Sequence, residues 1–203
     1  MAEIDLYLDP VCPFSWVTSR WLLDAADRTG ATVTLRQMSL AVLNEGKELE
    51  GKPKRMMERS RRLGRLFAAA TTRHGQDAFA RLYDTLGSQI HVRGNEITAD
   101  EVKELLATCG LDEALYEALD DGGLDDEVRR NHQASQDALG GAAGSPIIAV
   151  DGRGFHGPVL TRIPPHEGGV GLLDAILVVV KSAEFATLQR PTHGPPTLEE
   201  TPR

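Results

Sequence analysis

The stretch Ile4-Asp5-Leu6-Tyr7-Leu8-Asp9-Pro10-Val11-Cys12-Pro13-Phe14-Ser15-Trp16 decides the fold. Residues 4–8 alternate well enough for a short buried strand. Asp9 and Pro10 interrupt it. Pro13 suits the first position of a helix, where its missing N–H would be unpaired anyway. A helix is expected over residues 13–27, burying Trp16, Val17, Trp21, Leu22 and Ala25, with Gly30 as its stop. Residues 31–38 alternate through Val33 and Leu35 and predict a second strand. Strand, helix, strand is a βαβ unit, so a parallel pair with a right-handed crossover follows.

Further along, residues 53–141 show no convincing strand. Helical character runs over residues 55–73 and 76–90. Thr98-Ala99-Asp100-Glu101 has the form of a capping box and opens another helix, which Gly110 stops. Residues 112–119 and 125–139 are two more, the last bracketed by the pairs Gly122-Gly123 and Gly140-Gly141. This is a helical block set into an α/β frame. The frame resumes with an apolar strand over residues 146–150. Asp151-Gly152-Arg153-Gly154 reads as a hairpin turn, with residues 155–160 pairing back. Pro164-Pro165 precedes a last helix over residues 168–181, and an extended or loose arm follows residue 186.

The chain has 203 residues, 41% hydrophobic and 26% charged, enough for a core without disulfide staples. Its 22 Lys and Arg against 30 Asp and Glu give a net charge of -8, which argues against general nucleic-acid affinity. No apolar run approaches the roughly 20 residues that span a bilayer. The opening MAEIDLYLDP carries no recognisable secretion signal. With only Cys12 and Cys109 present, a cytoplasmic, reducing location without structural disulfides is expected.

Cys12 is the sharpest chemical feature. At a helix N-terminus, free backbone N–H groups and the helix dipole favour a thiolate, the reactive form of cysteine. A lowered Cys12 pKa is therefore expected; the alternative is a small buried apolar side chain. Ser15 follows three residues on. Its hydroxyl either donates to the Cys12 sulfur or binds only backbone and water. No disulfide can form between positions 12 and 15. Ser145-Pro146 opens the third strand. A proline there is open to a cis bond, which would leave the Ser145 backbone free for an extended substrate, though trans is the commoner form.

Asp9-Pro10-Val11-Cys12-Pro13-Phe14-Ser15-Trp16, the helical block and Gly144-Ser145-Pro146 together resemble the DsbA-like branch of the thioredoxin superfamily. The closer similarity is to the actinobacterial mycothiol-dependent nitroreductase and reductase group. Val17-Thr18-Ser19-Arg20-Trp21, Met38-Ser39-Leu40, Leu43-Asn44-Glu45, Ile90-His91 with Gly94-Asn95, and Phe155-His156-Gly157-Pro158-Val159-Leu160 resemble segments of that group. The resemblance covers roughly residues 3–190. It implies an α/β, thioredoxin-like (DsbA-type) fold with a large inserted all-helical subdomain. The parts would be residues 1–52 and 142–185 for the thioredoxin-like domain, 53–141 for the insertion and 186–203 for the tail.

The same resemblance implies Cys12 as nucleophile, a cis Pro146, and mycothiol or a similar low-molecular-weight thiol as reductant. Better-known members carry a second cysteine where Ser15 stands, so a monothiol cycle takes the place of a dithiol one. Cys12 and Ser15 are then the catalytic pair. Pro13, Phe14, Trp16, Asn44, His91, Ser145 and Pro146 form the expected substrate-binding set. Partners would be a small thiol and a small-molecule or protein disulfide, or an electrophilic small molecule to be reduced, with no nucleic acid or membrane. Kappa-class glutathione transferases and 2-hydroxychromene-2-carboxylate isomerases, which use a serine at the place of Cys12 rather than Ser15, rank second. A non-catalytic binding module is the third reading.

Other residues carry weaker signals. Cys109 reads as a packed core thiol. His91 either hydrogen-bonds a ligand or is satisfied by backbone. Asn44 is either a ligand donor or a turn residue. Trp21 reads as core and Trp16 as a wall of the cleft. His132 and His156 read as surface or packing residues, and no metal-ligand spacing occurs. The basic run from Lys52 through Arg65 is a solvated helix face or an anion-binding rim.

Overall fold

The computed structural model describes residues 2–94 and 98–198. Asn95, part of the family-like segment after His91, lies outside them. Four strands form one mixed sheet in the order β2-β1-β3-β4. β1 (Glu3–Leu8) is parallel to β2 (Thr32–Gln37), with Leu6 beside Leu35. On its other side β1 runs antiparallel to β3 (Ile147–Val150), with Leu6 beside Ile148. β3 pairs antiparallel with β4 (Arg153–His156). A parallel pair needs a crossover, and α1 (Pro13–Thr29) supplies it.

β1 is the central strand, and both its faces are covered. Ile4, Leu6 and Leu8 face one side and Tyr7 the other, all buried. The first side meets Trp21, Leu22 and Ala25 of α1 and Leu173 and Val180 of α7 (His166–Val180). Tyr7, Met38, Ile147 and Ala149 form a smaller cluster, against which Ala138 and Leu139 of α6 (Asp125–Leu139) pack. The Trp21 indole N–H donates to the Gly169 carbonyl at 2.8 Å and fixes α7 on α1.

Between β2 and β3 the described residues form only helices and turns. They are α2 (Leu40–Leu43), α3 (Gly51–His74), α4 (Gln76–Gly87) with a π-turn at Ser88–Val92, and α5 (Ala99–Thr108). Two 3₁₀ segments (Glu113–Asp120 and Gly122–Leu124) and α6 complete the run. Phe67 of α3 and Phe79, Leu82, Tyr83 and Leu86 of α4 belong to the same buried cluster as β1 and α1. The helices therefore share the core of the sheet.

Several expected boundaries move. α1 runs two residues past Asp27, until Gly30 closes it with a left-handed φ of 72°. Residues 112–119 are expected as an ordinary helix and form a 3₁₀ segment instead. The helix expected over 76–90 leaves α geometry after Gly87. The short α2 has no sequence-level counterpart; Ser39 caps it by accepting the Val42 N–H at 3.2 Å. The capping box at Thr98 and Glu101 is formed.

The hairpin is corrected most. Its turn is Asp151-Gly152 alone, with φ of 49° and 79°, as a two-residue turn of the primed type requires. Arg153 and Gly154 are strand residues. Gly154 is needed for closeness rather than for turning, because a Cβ there would collide with the Ala138 carbonyl of α6. Pairing does not continue to Leu160, since β4 ends at His156 before Gly157-Pro158. The C-terminal arm is exposed through most of its described length, yet it is pinned near its end. Thr197 N–H donates to the Thr161 carbonyl at 2.8 Å, and Leu198 packs on the main cluster.

Candidate active site

Cys12 stands where β1 gives way to α1. Its backbone is extended (φ -79°, ψ 113°), it is the N-cap residue, and Pro13 opens the helix. The Cys12 N–H donates to the Asp9 carbonyl at 3.0 Å, and the Cys12 carbonyl accepts the Trp16 N–H at 3.1 Å. Cys12 is 5% exposed. Its S–H donates to the Ser145 carbonyl at 3.4 Å, across 133 residues of chain. The Ser145–Pro146 bond is cis. The expected juxtaposition of Cys12 with the Ser145-Pro146 loop is thus present.

Ser15 is fully buried on the first turn of α1. Its hydroxyl hydrogen-bonds the Ser145 hydroxyl. The Ser145 hydroxyl accepts the Asp9 N–H at 2.9 Å. Two segments distant in sequence, residues 9–15 and Ser145, meet in one polar cluster.

The lowered Cys12 pKa expected from the helix terminus is not found. Burial pushes the thiol up, and the nearby Asp9 charge adds to that. Ser15's hydroxyl and the N–H groups of Ser15 and Phe14 pull the other way. A helix terminus stabilises a thiolate through a few aimed donors, whereas the loss of water acts on the whole charge. In this closed arrangement desolvation is the larger effect.

Asp9, which the sequence marks only as the end of the first strand, organises the loop. It is fully buried. One carboxylate oxygen accepts the Val11 N–H at 2.8 Å, and the other accepts the Leu40 N–H at 2.6 Å and the Ser60 hydroxyl. Burial raises its pKa, and these three donors pull it back. One side chain therefore ties the cysteine loop to α2 and α3. The signal in sequence was an acid directly after a buried strand. Ser60, on a basic helix, gave none.

Trp16 lies inward and is 4% exposed. Its ring stacks with His91 at 5.5 Å, and the Arg20 guanidinium sits 4.5 Å from its centroid. Tyr83 packs at 5.7 Å. Gly87 makes room for the ring, because a Cβ there would collide with it. Trp16 thus packs into the core rather than walling an open cleft. His91 is also buried. Pro10's carbonyl can only accept, so Nε2 carries the proton that reaches it at 2.9 Å. Burial lowers the His91 pKa to about 4, so the ring is neutral at pH 7.

Pro13 and Phe14 are half-buried beside the thiol. Asn44 is not brought to it. Its side-chain amide donates to the Leu40 carbonyl at 2.8 Å and accepts from Lys47 at 3.0 Å, closing α2 as a turn residue does. The Pro158 carbonyl, next to a second cis bond at Gly157–Pro158, accepts the Thr18 hydroxyl at 2.8 Å and joins that loop to α1. Cys109 is a free, buried thiol with its own partners, Thr85 at 3.2 Å and the Arg81 carbonyl at 3.6 Å. His132 is buried against the Ser39 N–H, and His156 is exposed at the end of β4. In the basic run, Arg62 and Arg65 are engaged by Asp120 and Asp125. Among the described residues, no three His, Cys, Asp or Glu are grouped for a metal ion, and no helix is long and apolar enough to cross a membrane.

A βαβ unit and a hairpin–helix unit share one sheet, and a helix-terminal cysteine faces an X–cis-Pro loop. That combination defines a thioredoxin-fold protein of the DsbA-like class. The chain belongs to the family of mycothiol-dependent nitroreductases represented by Rv2466c, whose sequence profile matches residues 11–190. It is accordingly an enzyme of thiol-dependent redox chemistry. A relative in Mycobacterium tuberculosis (strain ATCC 25618 / H37Rv), the uncharacterized protein Rv2286c, is 30% identical over 196 residues, covering 94% of this chain and 83% of that protein.

Among solved structures, a probable DsbA oxidoreductase, SCO1869 of Streptomyces coelicolor, superposes with a TM-score of 0.59 at 19% identity over 96% of this chain and 97% of the other. The cytosolic disulfide reductase DsbM of Pseudomonas aeruginosa, solved with GSH, gives 0.57 at 18% identity, over 87% and 99%. At such identities these two structures speak for the fold. The donor set at the site fits a thiol partner: one sulfur able to form a disulfide, with a hydroxyl where a competing thiol would stand.

Proposed function

We propose that the protein is a monothiol oxidoreductase in which Cys12 exchanges with disulfides of a low-molecular-weight thiol such as mycothiol, in a reducing cytoplasm. The observation that carries this reading is the Cys12 S–H bonded to the Ser145 carbonyl, with Ser15 in place of a second thiol. Loss of the S–H proton to solvent gives a thiolate held by Ser15 and the first N–H groups of α1. That sulfur attacks one sulfur of a disulfide; the S–S bond breaks, a mixed disulfide forms on Cys12, and one thiolate leaves. A small thiol supplies the second sulfur that releases Cys12. Cys12 and that thiol together yield two electrons as they become one disulfide, which is the count needed to reduce an electrophilic substrate by one two-electron step.

Pro13, Phe14 and the Ser145-Pro146 loop are the surfaces a bound thiol would meet first. Asp9 and His91 hold the loop that carries Cys12. A second reading, a transferase- or isomerase-like site that binds a thiol without bonding to it, is favoured by the burial that keeps Cys12 protonated.

Intact-protein mass spectrometry after incubation with mycothiol disulfide, then glutathione disulfide, separates the two. The expected result is one adduct, lost in Cys12→Ala and kept in Cys109→Ala. Equal loss in both variants would refute Cys12 as nucleophile. Tight thiol binding with no adduct would favour the second reading.

A further inference from the structure

Cys12 is almost wholly buried, so a reagent reaches its sulfur only when a neighbouring segment yields. The two sides of the site are held very differently. On the helical side Trp16 packs against Tyr83 and His91, all three buried. On the other side stands the loop after β4. Its Gly157 N–H donates to the Pro146 carbonyl at 2.8 Å, next in the chain to the Ser145 carbonyl that takes the Cys12 S–H. Its Pro158 carbonyl takes the Thr18 hydroxyl of α1 at 2.8 Å. Further along this loop, Leu160 and Ile163 are only half-buried against the main cluster.

The C-terminal arm is tied to the same loop. It leaves α7 at the far end of the sheet, where the Arg153 guanidinium donates to the Lys181 carbonyl at 3.4 Å. Phe185 then meets Phe155 of the edge strand β4, with 6.1 Å between ring centroids. At the Cys12 end of the sheet the Thr197 N–H donates to the Thr161 carbonyl, Pro196 is buried and Leu198 packs on the main cluster. Between Phe185 and Thr197 the arm has twice the residues that separate Phe155 from Thr161. Residues 186–195 are all exposed, Leu188 at 88%. A segment with that slack is held by its end, and its end is one hydrogen bond and two apolar residues. Such a contact opens locally while the core stays folded.

We infer that the C-terminal arm is a releasable strap on the active-site loop: seated at Thr161 it holds residues 157–163 against Pro146 and α1 and keeps Cys12 covered, and released it lets that loop swing out and admits a substrate to the sulfur. The strap goes beyond the exchange reading and needs from it only that Cys12 is the group to be reached. It makes access to the thiol depend on residues 196–198, far in sequence from every residue that touches the sulfur.

The full chain carries its own control. Cys109 is a second buried thiol, set against Arg81 and Thr85 of α4 rather than under the loop. Alkylation of both thiols by iodoacetamide is followed at one pH by peptide mass spectrometry. Leu198→Ala is expected to speed alkylation of Cys12 about tenfold, the change in open population that goes with losing most of a half-buried leucine side chain. Thr197→Pro, which removes the N–H donor, is expected to speed it about fivefold. Leu198→Met, which keeps an apolar contact, should stay at the parent rate. Cys109 should react at the parent rate in all three variants.

An unchanged Cys12 rate in both Leu198→Ala and Thr197→Pro would overturn the proposal. So would an equal acceleration of Cys109, the mark of a general loss of stability. Iodoacetamide needs no physiological thiol. A chain that forms no mixed disulfide and still shows this pattern would lose the exchange reading and keep the strap.

Discussion

At the scale of single residues, the site is a set of buried polar groups that satisfy one another. His91 shows how such a group couples to pH. Its folded pKa of about 4 lies below the ordinary value of 6.5 because burial disfavours the charged ring. Between those values the unfolded chain binds a proton that the folded protein does not, so stability rises with pH through this window and is lost as pH falls. The term amounts to about 3 kcal/mol between pH 7 and pH 4. Asp9 acts in the opposite sense, because its raised carboxyl pKa favours the folded state on the acid side. Comparison with His91→Gln separates the two. Urea unfolding at pH 7 and pH 4 should show the parent losing stability relative to His91→Gln by roughly that amount. An equal pH dependence in both proteins would contradict the assignment of a neutral, buried His91.

Among the elements, α1 and α4 meet through one deliberate absence of a side chain. Gly87 ends α4 at the place where Trp16 presses in. The chain then passes into the π-turn that carries His91 onto the other contacts of the ring. Gly87→Ala should overpack this junction and cost about 1–3 kcal/mol. For a chain of this size that lowers the melting temperature by several degrees. A melting temperature equal to the parent's would mean that the ring has room to move. Neither the glycine nor the turn announces itself in the sequence, where Gly87 sits in an ordinary amphipathic run. By contrast, Pro13 and Gly30 mark both ends of α1, and Thr98 with Glu101 marks the start of α5, because caps are local chemistry.

For the whole molecule, the main hydrophobic cluster joins the sheet and the helical run, from Ile4 and Leu6 to Phe67, Phe79 and Leu106. A common core predicts one cooperative transition. Both tryptophans lie in α1, whereas most helical residues lie between β2 and β3. Tryptophan fluorescence therefore reports on α1 and its contact with α4, far-UV circular dichroism mainly on the helices between β2 and β3, and their unfolding curves should coincide. Phe67→Ala, in α3, should destabilise both signals together by about 3–5 kcal/mol. Two separated transitions would show that the helices fold on a core of their own.

The sequence by itself determined the order of the main elements, the α/β frame with its helical run, and the thiol at a helix start. Those features rest on periodicity, caps and proline geometry, all of which act within a few residues. The tertiary structure decided the rest. It placed Ser145 over Cys12, gave Asp9 and Ser60 their partners and set Trp16 inward. It also reversed the expected direction of the Cys12 pKa. These outcomes depend on which groups a folded chain removes from water and which donors it then brings within reach. Residues 9, 15 and 145 acquire those relations only when β1, α1 and β3 pack together.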